Sequence, residues 1–433
     1  MSVPEPLLDP AGPATPPQAE EAALHAELDR ILAARAIVSR YQPIVQLGSG
    51  QVAGYEALAR GPQGSRLEFP DRLFDVARAA GRLDELDATC RAAAMAGAAT
   101  SALSGPSTLF VNTEPETTAA AMTSTYDALL ASGGGARVVF EFTERALTAR
   151  PADVLEATDR LRRLGAGIAL DDVGVDPRSL ALLPFVQPDV VKLDMSVIQG
   201  ARTQRAARVM HAVGAYAEQT GAAIVAEGIE TREHLAVARS LGATHGQGWL
   251  FGRPEAPPET LPFTDPLAAW DAVPESTAGQ TAFQMVVASG RPVQTADKAL
   301  LLALSRQLEL HAFSLGHECV VLGNLQHERH LSRRTADRYA DLADRTAFCG
   351  LIGAGLSDEP VPGVRGGSYA AGDPLAQEWS VIVISPHFAA AMLAYDLGDT
   401  GADLDRRFSS CLTYDRALVA KAARALMRSI ANR

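Results

Sequence analysis

Between residues 41 and 248 short apolar runs recur, each closing on a carboxylate, an amide or a lysine and each giving way to a helix-like stretch. Glu56 opens the series within Gly54–Arg60, and Asn112 follows Thr108–Val111. Glu141 and Glu144 lie around Val138–Phe142, Asp171 and Asp172 follow Gly167–Leu170, and Lys192 sits in Val190–Leu193. Glu227 and Glu230 follow Ala223–Ala226, and Gln247 stands in 243–248. Parallel strands buried on both faces read as continuous apolar runs and need crossover helices, so the alternation predicts an α/β fold, a (β/α) barrel. In such barrels chemistry gathers where strands end. Tyr41–Leu47, the turn Gly48-Ser49-Gly50 and Val52–Tyr55 instead read as a hairpin, which makes the first strand antiparallel to its neighbour. Helical patterns are expected at 70–81, 84–103, 116–131, 151–164, 203–220 and 231–241, with Thr203 and Thr231 as N-caps.

One acid at a strand end is ordinarily a helix cap or a loop residue. So many carboxylates pooled on one barrel face repel strongly without cations, and the series therefore predicts divalent metal. Mg²⁺ and Mn²⁺ take oxygen ligands, and two such ions about 3.5–4 Å apart form the usual clamp for hydrolysing a phosphate ester. The adjacent pair Asp171-Asp172 suits a shared site, the first carboxylate bridging two ions and the second holding one. Lys192 is equally selective. Lys192, Lys298 and Lys421 are the lysines of a chain with 39 lysines and arginines together, so a lysine inside the apolar strand Asp189–Asp194 is no casual positive charge. A compact ammonium can orient a water or neutralise a phosphoryl oxygen better than a guanidinium fork.

These strings resemble the EAL domain family, which hydrolyses the bacterial second messenger cyclic di-GMP to linear pGpG. The resemblance spans about 36 to 262. It rests on Tyr41-Gln42-Pro43-Ile44-Val45, Glu56-Ala57-Leu58-Ala59-Arg60, Phe110-Val111-Asn112, Phe140-Glu141-Phe142-Thr143-Glu144, Ile168-Ala169-Leu170-Asp171-Asp172, Val191-Lys192-Leu193-Asp194, Val225-Ala226-Glu227-Gly228-Ile229-Glu230-Thr231 and Gln247-Gly248-Trp249-Leu250-Phe251-Gly252-Arg253-Pro254. It implies a modified (β/α)8 TIM barrel whose first strand is antiparallel, and two Mg²⁺ or Mn²⁺ ions. Glu56, Asn112, Glu141 and Asp171 would bind one ion, with Asp171, Asp172 and Glu227 around the other. Lys192 would stand beside the attacking water. Gln42 and Arg60 would lie near the bound dinucleotide, with Glu230 and Gln247 in the surrounding shell. Catalytic roles thus fall to Lys192, Glu56 and Glu230, and substrate contacts to Gln42, Arg60 and Gln247.

One stretch departs from the family. Where its members continue from the paired aspartates as Phe-Gly-(Thr or Ala)-Gly-Tyr-Ser-Ser-Leu, this chain reads Val173-Gly174-Val175-Asp176-Pro177-Arg178-Ser179-Leu180. In active members this loop helps to order the second metal site and contributes to a homodimer contact, anchored by the residue matching Glu144. Pro177 restricts the backbone here. Two readings stay open: a rebuilt loop that still supports hydrolysis, or a cyclic di-GMP receptor that binds, barely turns over and signals to a partner. Hydrolysis of a related cyclic dinucleotide or of pGpG itself is a third.

A chain of 433 residues is too long for one such barrel, so a second domain is required. The net charge of −12 argues against non-specific binding to nucleic acid or anionic membrane. Cys90, Cys319, Cys349 and Cys411 show no paired spacing, and no basic region followed by an apolar run opens the chain, so a reduced cytoplasmic protein is expected. The organisation expected is a proline-rich tail over 1–17, a helix over 18–35, the barrel over 36–252, a proline-rich linker over 253–276 and a regulatory domain over 277–433. Leu24, Leu28, Ile31 and Leu32 form one stripe on the first helix, expected to pack on the chain's own barrel. In the last segment Ala296–Gln307 and Thr413–Ile430 read as helices, Glu318–Leu325 and Trp379–Ser385 as strands, and Trp379–Leu397 as strand, turn and helix. This segment resembles the DICT domain through Leu300–Glu309, Arg338–Ala343, Trp379–Val383, Asp405–Phe408 and Thr413–Asp415. The resemblance implies signal input or dimerisation and names no ligand.

Overall fold

A computed structural model describes residues 16–104, 107–114, 137–200, 203–260, 267, 279–370 and 372–432. Strands β1 (Val38–Gln46), β2 (Val52–Arg60), β3 (Thr108–Asn112), β4 (Arg137–Phe142), β5 (Gly167–Val173), β6 (Val190–Leu193), β7 (Ala223–Ala226) and β8 (His245–Gln247) close a barrel in chain order. β1 runs antiparallel to both β2 and β8. The remaining neighbours are parallel. The expected hairpin is present, with Gly50 at φ +73° in its turn, a conformation open to glycine at little cost.

Alternation along each strand sorts side chains into two layers. Leu109 and Val111, Val138 and Phe140, Ile168 and Leu170, Val191 and Leu193, and Ile224 and Ala226 face outward into the cluster under the surrounding helices. Phe110, Val139, Ala169, Val190 and Val225 form a separate cluster with Ile44, and Leu267 closes it. That inner floor fixes what lies above it.

Helices fall near their expected positions: Pro70–Ala79, Leu83–Ala99, Pro151–Arg163, Gln204–Thr220 and Arg232–Ser240. Thr203 and Thr231 cap the last two by accepting from the Ala206 and His234 amides. The tail expected over 1–17, apart from Pro16 and Pro17, the helix over 116–131 and most of the linker lie outside the described residues. The first helix runs Pro16–Ala33, and Leu28, Ile31 and Leu32 pack on Leu67, Leu73, Leu83 and Leu86 of this chain. At the start of the linker Glu255 pairs with Tyr41 of β1 in an isolated bridge.

The second unit is a seven-stranded sheet in the order β12-β11-β10-β13-β14-β15-β9. Its strands are β9 (Gln294–Asp297), β10 (Val320–His327), β11 (Phe348–Ala354), β12 (Arg365–Gly367), β13 (Glu378–Ile384), β14 (Ala389–Asp396) and β15 (Arg407–Thr413). Along β13, Trp379, Val381 and Val383 face Leu301, Leu308 and Leu342 of helices Lys298–Leu315 and Arg333–Arg345. Ile382 and Ile384 face the other way, toward Phe283 and Met285 of helix Ala282–Ala288 and Leu418 and Leu426 of helix Arg416–Met427.

Three expectations here need correction. Ala389–Asp396 is a strand, not a helix: its alanines favour helix locally, but the segment is paired on both edges, by β13 and β15, and covered on both faces. Tertiary pairing overrides propensity. Ala296 and Asp297 belong to β9, and the helix begins at Lys298, with Asp297 accepting from the Leu300 amide. Thr413 ends β15, and the last helix begins at Arg416, capped by Asp415.

Candidate functional site

Two residues beyond each floor residue, on the same inward face, stands a polar group: Asn112 after Phe110, Glu141 after Val139, Asp171 after Ala169, Lys192 after Val190 and Glu227 after Val225. The period of two thus turns the sequence alternation into one ring at the C-terminal mouth of the barrel. Lys192 is its hub, with Nζ 2.8 Å from Glu141, 2.8 Å from Glu227, 3.1 Å from Asp171 and 3.5 Å from Glu56. β2 contributes Glu56, which accepts from Asn112 Nδ2 at 2.8 Å and Gln247 Nε2 at 2.7 Å. Gln247 also donates to Gln42 Oε1 at 3.1 Å, and Gln42 donates to the Gly252 carbonyl at 3.1 Å. Because Asn112 gives its amide hydrogens to Glu56, its side-chain oxygen is left as an acceptor.

Adjacent residues of a regular strand point to opposite faces, so Asp171 and Asp172 should not share a site. The register of β5 on β6 shifts between Leu170 and Val173, and Asp172 adopts φ +55°. Aspartate tolerates this left-handed region better than most residues. The bulge brings oxygens of Asp171, Asp172 and Glu227 within 4.8 Å of one another.

One ammonium faces several buried carboxylates, and their proton affinities split. Burial works against ionisation of Glu56, yet the Lys192 charge and the bonds from Gln247 and Asn112 hold its carboxyl below the ordinary value. Burial and the nearby Glu56 charge push Glu141 well up, more than Lys192 can offset. Burial raises Glu227 to about 8 and Asp172 to about 6, with the Asp171 charge adding to both. Lys192 is held well above its usual value: burial opposes the charged form, but Asp171, Glu141, Glu227 and Glu56 outweigh it.

The donor set fits hard divalent cations. It is all oxygen apart from Lys192, and among the described residues Glu141 Oε1 and Asp171 Oδ1 face the Lys192 ammonium at 2.8 and 3.1 Å with no further hydrogen-bond donor.

The EAL domain family matches residues 25–254. The chain belongs to the EAL domain family. A second family, the sensory domain in diguanylate cyclases and two-component systems (DICT), matches residues 276–397. An uncharacterized signaling protein of Caulobacter vibrioides is 32% identical over 240 residues, covering 54% of this chain and 29% of that protein. The cyclic di-GMP phosphodiesterase NbdA of Pseudomonas aeruginosa is 32% identical over 242 residues, 54% of this chain and 31% of the relative. A complex of Klebsiella pneumoniae BlrP1 with calcium and cyclic di-GMP is 30% identical, covers 51% of this chain and 56% of that one, and has a TM-score of 0.45. The chain thus spans less than a third of the length of these two curated relatives, 29% and 31%.

Within this EAL barrel not every residue named from sequence meets the cluster. Arg60 is half-buried beside it, its pKa lowered by burial, and its Nη1 donates to the Ala59 carbonyl at 2.7 Å. Glu230 is exposed, and among the described residues no hydrogen bond ties its side chain to the ring. Glu144 is buried at 7% exposure and opens helix Glu144–Ala149. Among the described residues its Oε2 has no hydrogen-bond partner, and burial raises its pKa. Arg205 holds the 173–178 loop: its Nε donates to the Gly174 carbonyl at 2.8 Å and its Nη2 reaches Gly174 and Val175. Sequence reading passed over Arg205. Its signal was electrostatic: a cation in the first turn of helix Gln204–Thr220 opposes the helix dipole and asks for another reason to be there.

Proposed function

We propose that this chain hydrolyses one phosphodiester of cyclic di-GMP, adding water to give linear pGpG. The observation that carries this reading is the ring around Lys192, where Glu56, Glu141, Asp171 and Glu227 all approach its Nζ within 3.5 Å. Relatives named as cyclic di-GMP phosphodiesterases support it. Glu56, Asn112, Glu141 and Asp171 would hold one Mg²⁺ or Mn²⁺ ion and Asp171, Asp172 and Glu227 a second, supplying positive charge for the phosphoryl oxygens and acidifying a water. Lys192, kept as an ammonium by its neighbours, orients that water by donating to it and does not take its proton at neutral pH. Arg60 offers a fork to a phosphate oxygen. Gln247 and Asn112 aim Glu56 from behind, a role that commonly matters about as much as ligation itself.

Incubation of the full chain with cyclic di-GMP and Mn²⁺, followed by chromatography for pGpG, tests this reading with EDTA and Glu56→Ala as controls. Metal-dependent pGpG, lost in Glu56→Ala, is the expected result. Full activity in that variant would overturn the ligand assignment. A second reading, a cyclic di-GMP receptor of weak turnover, draws on the loop: among the described residues Glu144 Oε2 has no hydrogen-bond partner, and Arg205 holds the loop carbonyls. Tight binding without product would favour it. Residues 277–433 are assigned a regulatory role over the barrel.

A further inference from the structure

Arginines of the second unit reach the C-terminal ends of two short barrel helices. Arg365 of β12, 7% exposed, donates to the Thr148 carbonyl and, at 3.2 Å, to the Ala149 carbonyl, the last residues of helix Glu144–Ala149. Arg424, 6% exposed, donates to the Phe185 carbonyl near the end of helix Arg178–Val186. It also pairs with Asp159 of helix Pro151–Arg163, which Arg428 pairs with as well. The last carbonyls of a helix are unsatisfied and carry partial negative charge, so cations belong there.

The opposite ends of these helices lie at the candidate metal centre. Glu144 follows Glu141 by three positions, and helix Arg178–Val186 begins where the loop after Asp171-Asp172 ends. A third helix, Gln204–Thr220, makes the same connection. Its Arg205 holds the Gly174 and Val175 carbonyls, while one and two turns on Arg208 pairs with Glu318 at 3.1 Å and the His211 ring lies 5.2 Å from that of His387. Asp172 needs such support, because a non-glycine residue at φ +55° is disfavoured and persists only where its surroundings over-determine it. Within the loop itself, Val175 N bonds Asp172 O at 3.1 Å and Ser179 Oγ bonds Asp176 O at 2.8 Å.

We infer that the second unit sets the conformation of the 173–178 loop, and with it the aim of Asp172, by holding the far ends of two barrel helices and the first half of a third. This inference rests on the proposed reading of Asp171, Asp172 and Glu227 as metal ligands. The second unit is then part of what makes the site, and any signal that loosens its grip lowers metal affinity without touching a ligand.

The test compares the full chain with its Asp159→Asn and Arg365→Gln variants, none of them altered at a metal-ligand position. Amide hydrogen exchange is followed in the metal-free proteins, and Mn²⁺ affinity by calorimetry. Peptides covering 172–186 and 144–149 should exchange roughly tenfold faster in the variants, and Mn²⁺ should bind several-fold more weakly. Helices Pro70–Ala79 and Arg232–Ser240 should keep their protection. Unchanged exchange of 172–186 while helix Arg416–Met427 loses protection would overturn the inference, since the second unit would have let go without consequence. An even rise over every barrel helix would also overturn it, because the support would then be general. Should these variants not fold, Arg365→Lys, which keeps the charge and loses the fork, is read against the same outcomes. Hydrogen exchange needs no turnover, so failure of the phosphodiesterase reading would show separately as absence of pGpG from the unaltered chain.

Discussion

Lys192 is 1% exposed among carboxylates it cannot all neutralise, and two measurable consequences follow at this residue scale. Burial raises Glu227 to about 8 in the fold, against an ordinary glutamate value of about 4.3. The folded state therefore binds this proton more tightly than the unfolded chain, and its stabilising effect, complete at low pH, is lost as pH rises toward 8. The thermal midpoint in EDTA should fall by several degrees between pH 5.5 and 8.5, at roughly 1 °C per kcal/mol for a chain of this length melting as one unit. Mn²⁺ should remove that slope and release protons at pH 7, read by calorimetry in two buffers of different ionisation enthalpy. A flat midpoint with no proton release would contradict the account. Lys192→Ala removes the counter-charge and should cost about 3–5 kcal/mol in EDTA. Mn²⁺ should restore stability to this variant but not turnover, which is expected to fall at least ~10²-fold; restored turnover would sink the water-orienting role. Most of the ring was legible because strand periodicity and residue type agree at Asn112, Glu141, Asp171, Lys192 and Glu227. Asp172 was legible as a residue but not as a conformation, since a bulge depends on how β5 meets β6. Arg205 was missed because its partners are backbone carbonyls of an irregular loop.

At the scale of single elements, helix Arg178–Val186 carries the argument. Ser179 to Val186 are all buried, and a helix apolar on every side must be covered on every side. The barrel covers part of it, and Leu180, Ala181 and Leu183 share one cluster with Leu418, Val419 and Ala422 of the last helix. Leu183→Ala should therefore cost about 2–5 kcal/mol, the range for a buried leucine whose site cannot collapse, measured by urea unfolding. A cost below ~1 kcal/mol would place that face in solvent, where truncations are nearly neutral. No helix was expected over 178–186, because Pro184 inside it speaks against one locally, and the run Leu180-Ala181-Leu182-Leu183 names no covering partner. Barrel strands were readable as elements because each is an apolar run with a polar end. β14 was not, because an alanine-rich stretch carries little strand signal of its own and becomes a strand through β13 and β15.

Over the whole molecule the two units share one of their buried clusters. A single buried cluster runs from Phe140 and Leu170 beneath the barrel helices, through Leu183 and Phe185, to Ile382 and Leu426 of the second unit. Arg424, at 6% exposure, crosses the same boundary with its charge met by Asp159. Breaking a buried pair by parting its members leaves an uncompensated charge, so separating the units is costly in addition to the apolar area exposed. Sequence division at the proline-rich stretch implied two bodies on a linker, the arrangement in which domains unfold independently. Contact across Arg178–Val186 argues instead for cooperative loss of both. Calorimetric melting of the full chain in EDTA should give one transition in which barrel and second sheet are lost together, read by exchange protection of β5 and β13. Two transitions separated by more than a few degrees would mean that this shared core contributes little. Ending the chain before residue 277 should leave Leu180, Leu183 and Phe185 uncovered, and such a fragment should bind a hydrophobic dye and self-associate where the full chain does not. A fragment that stayed monomeric and dye-silent would show that the barrel buries this helix unaided, and would remove the physical basis for coupling the second unit to the 173–178 loop.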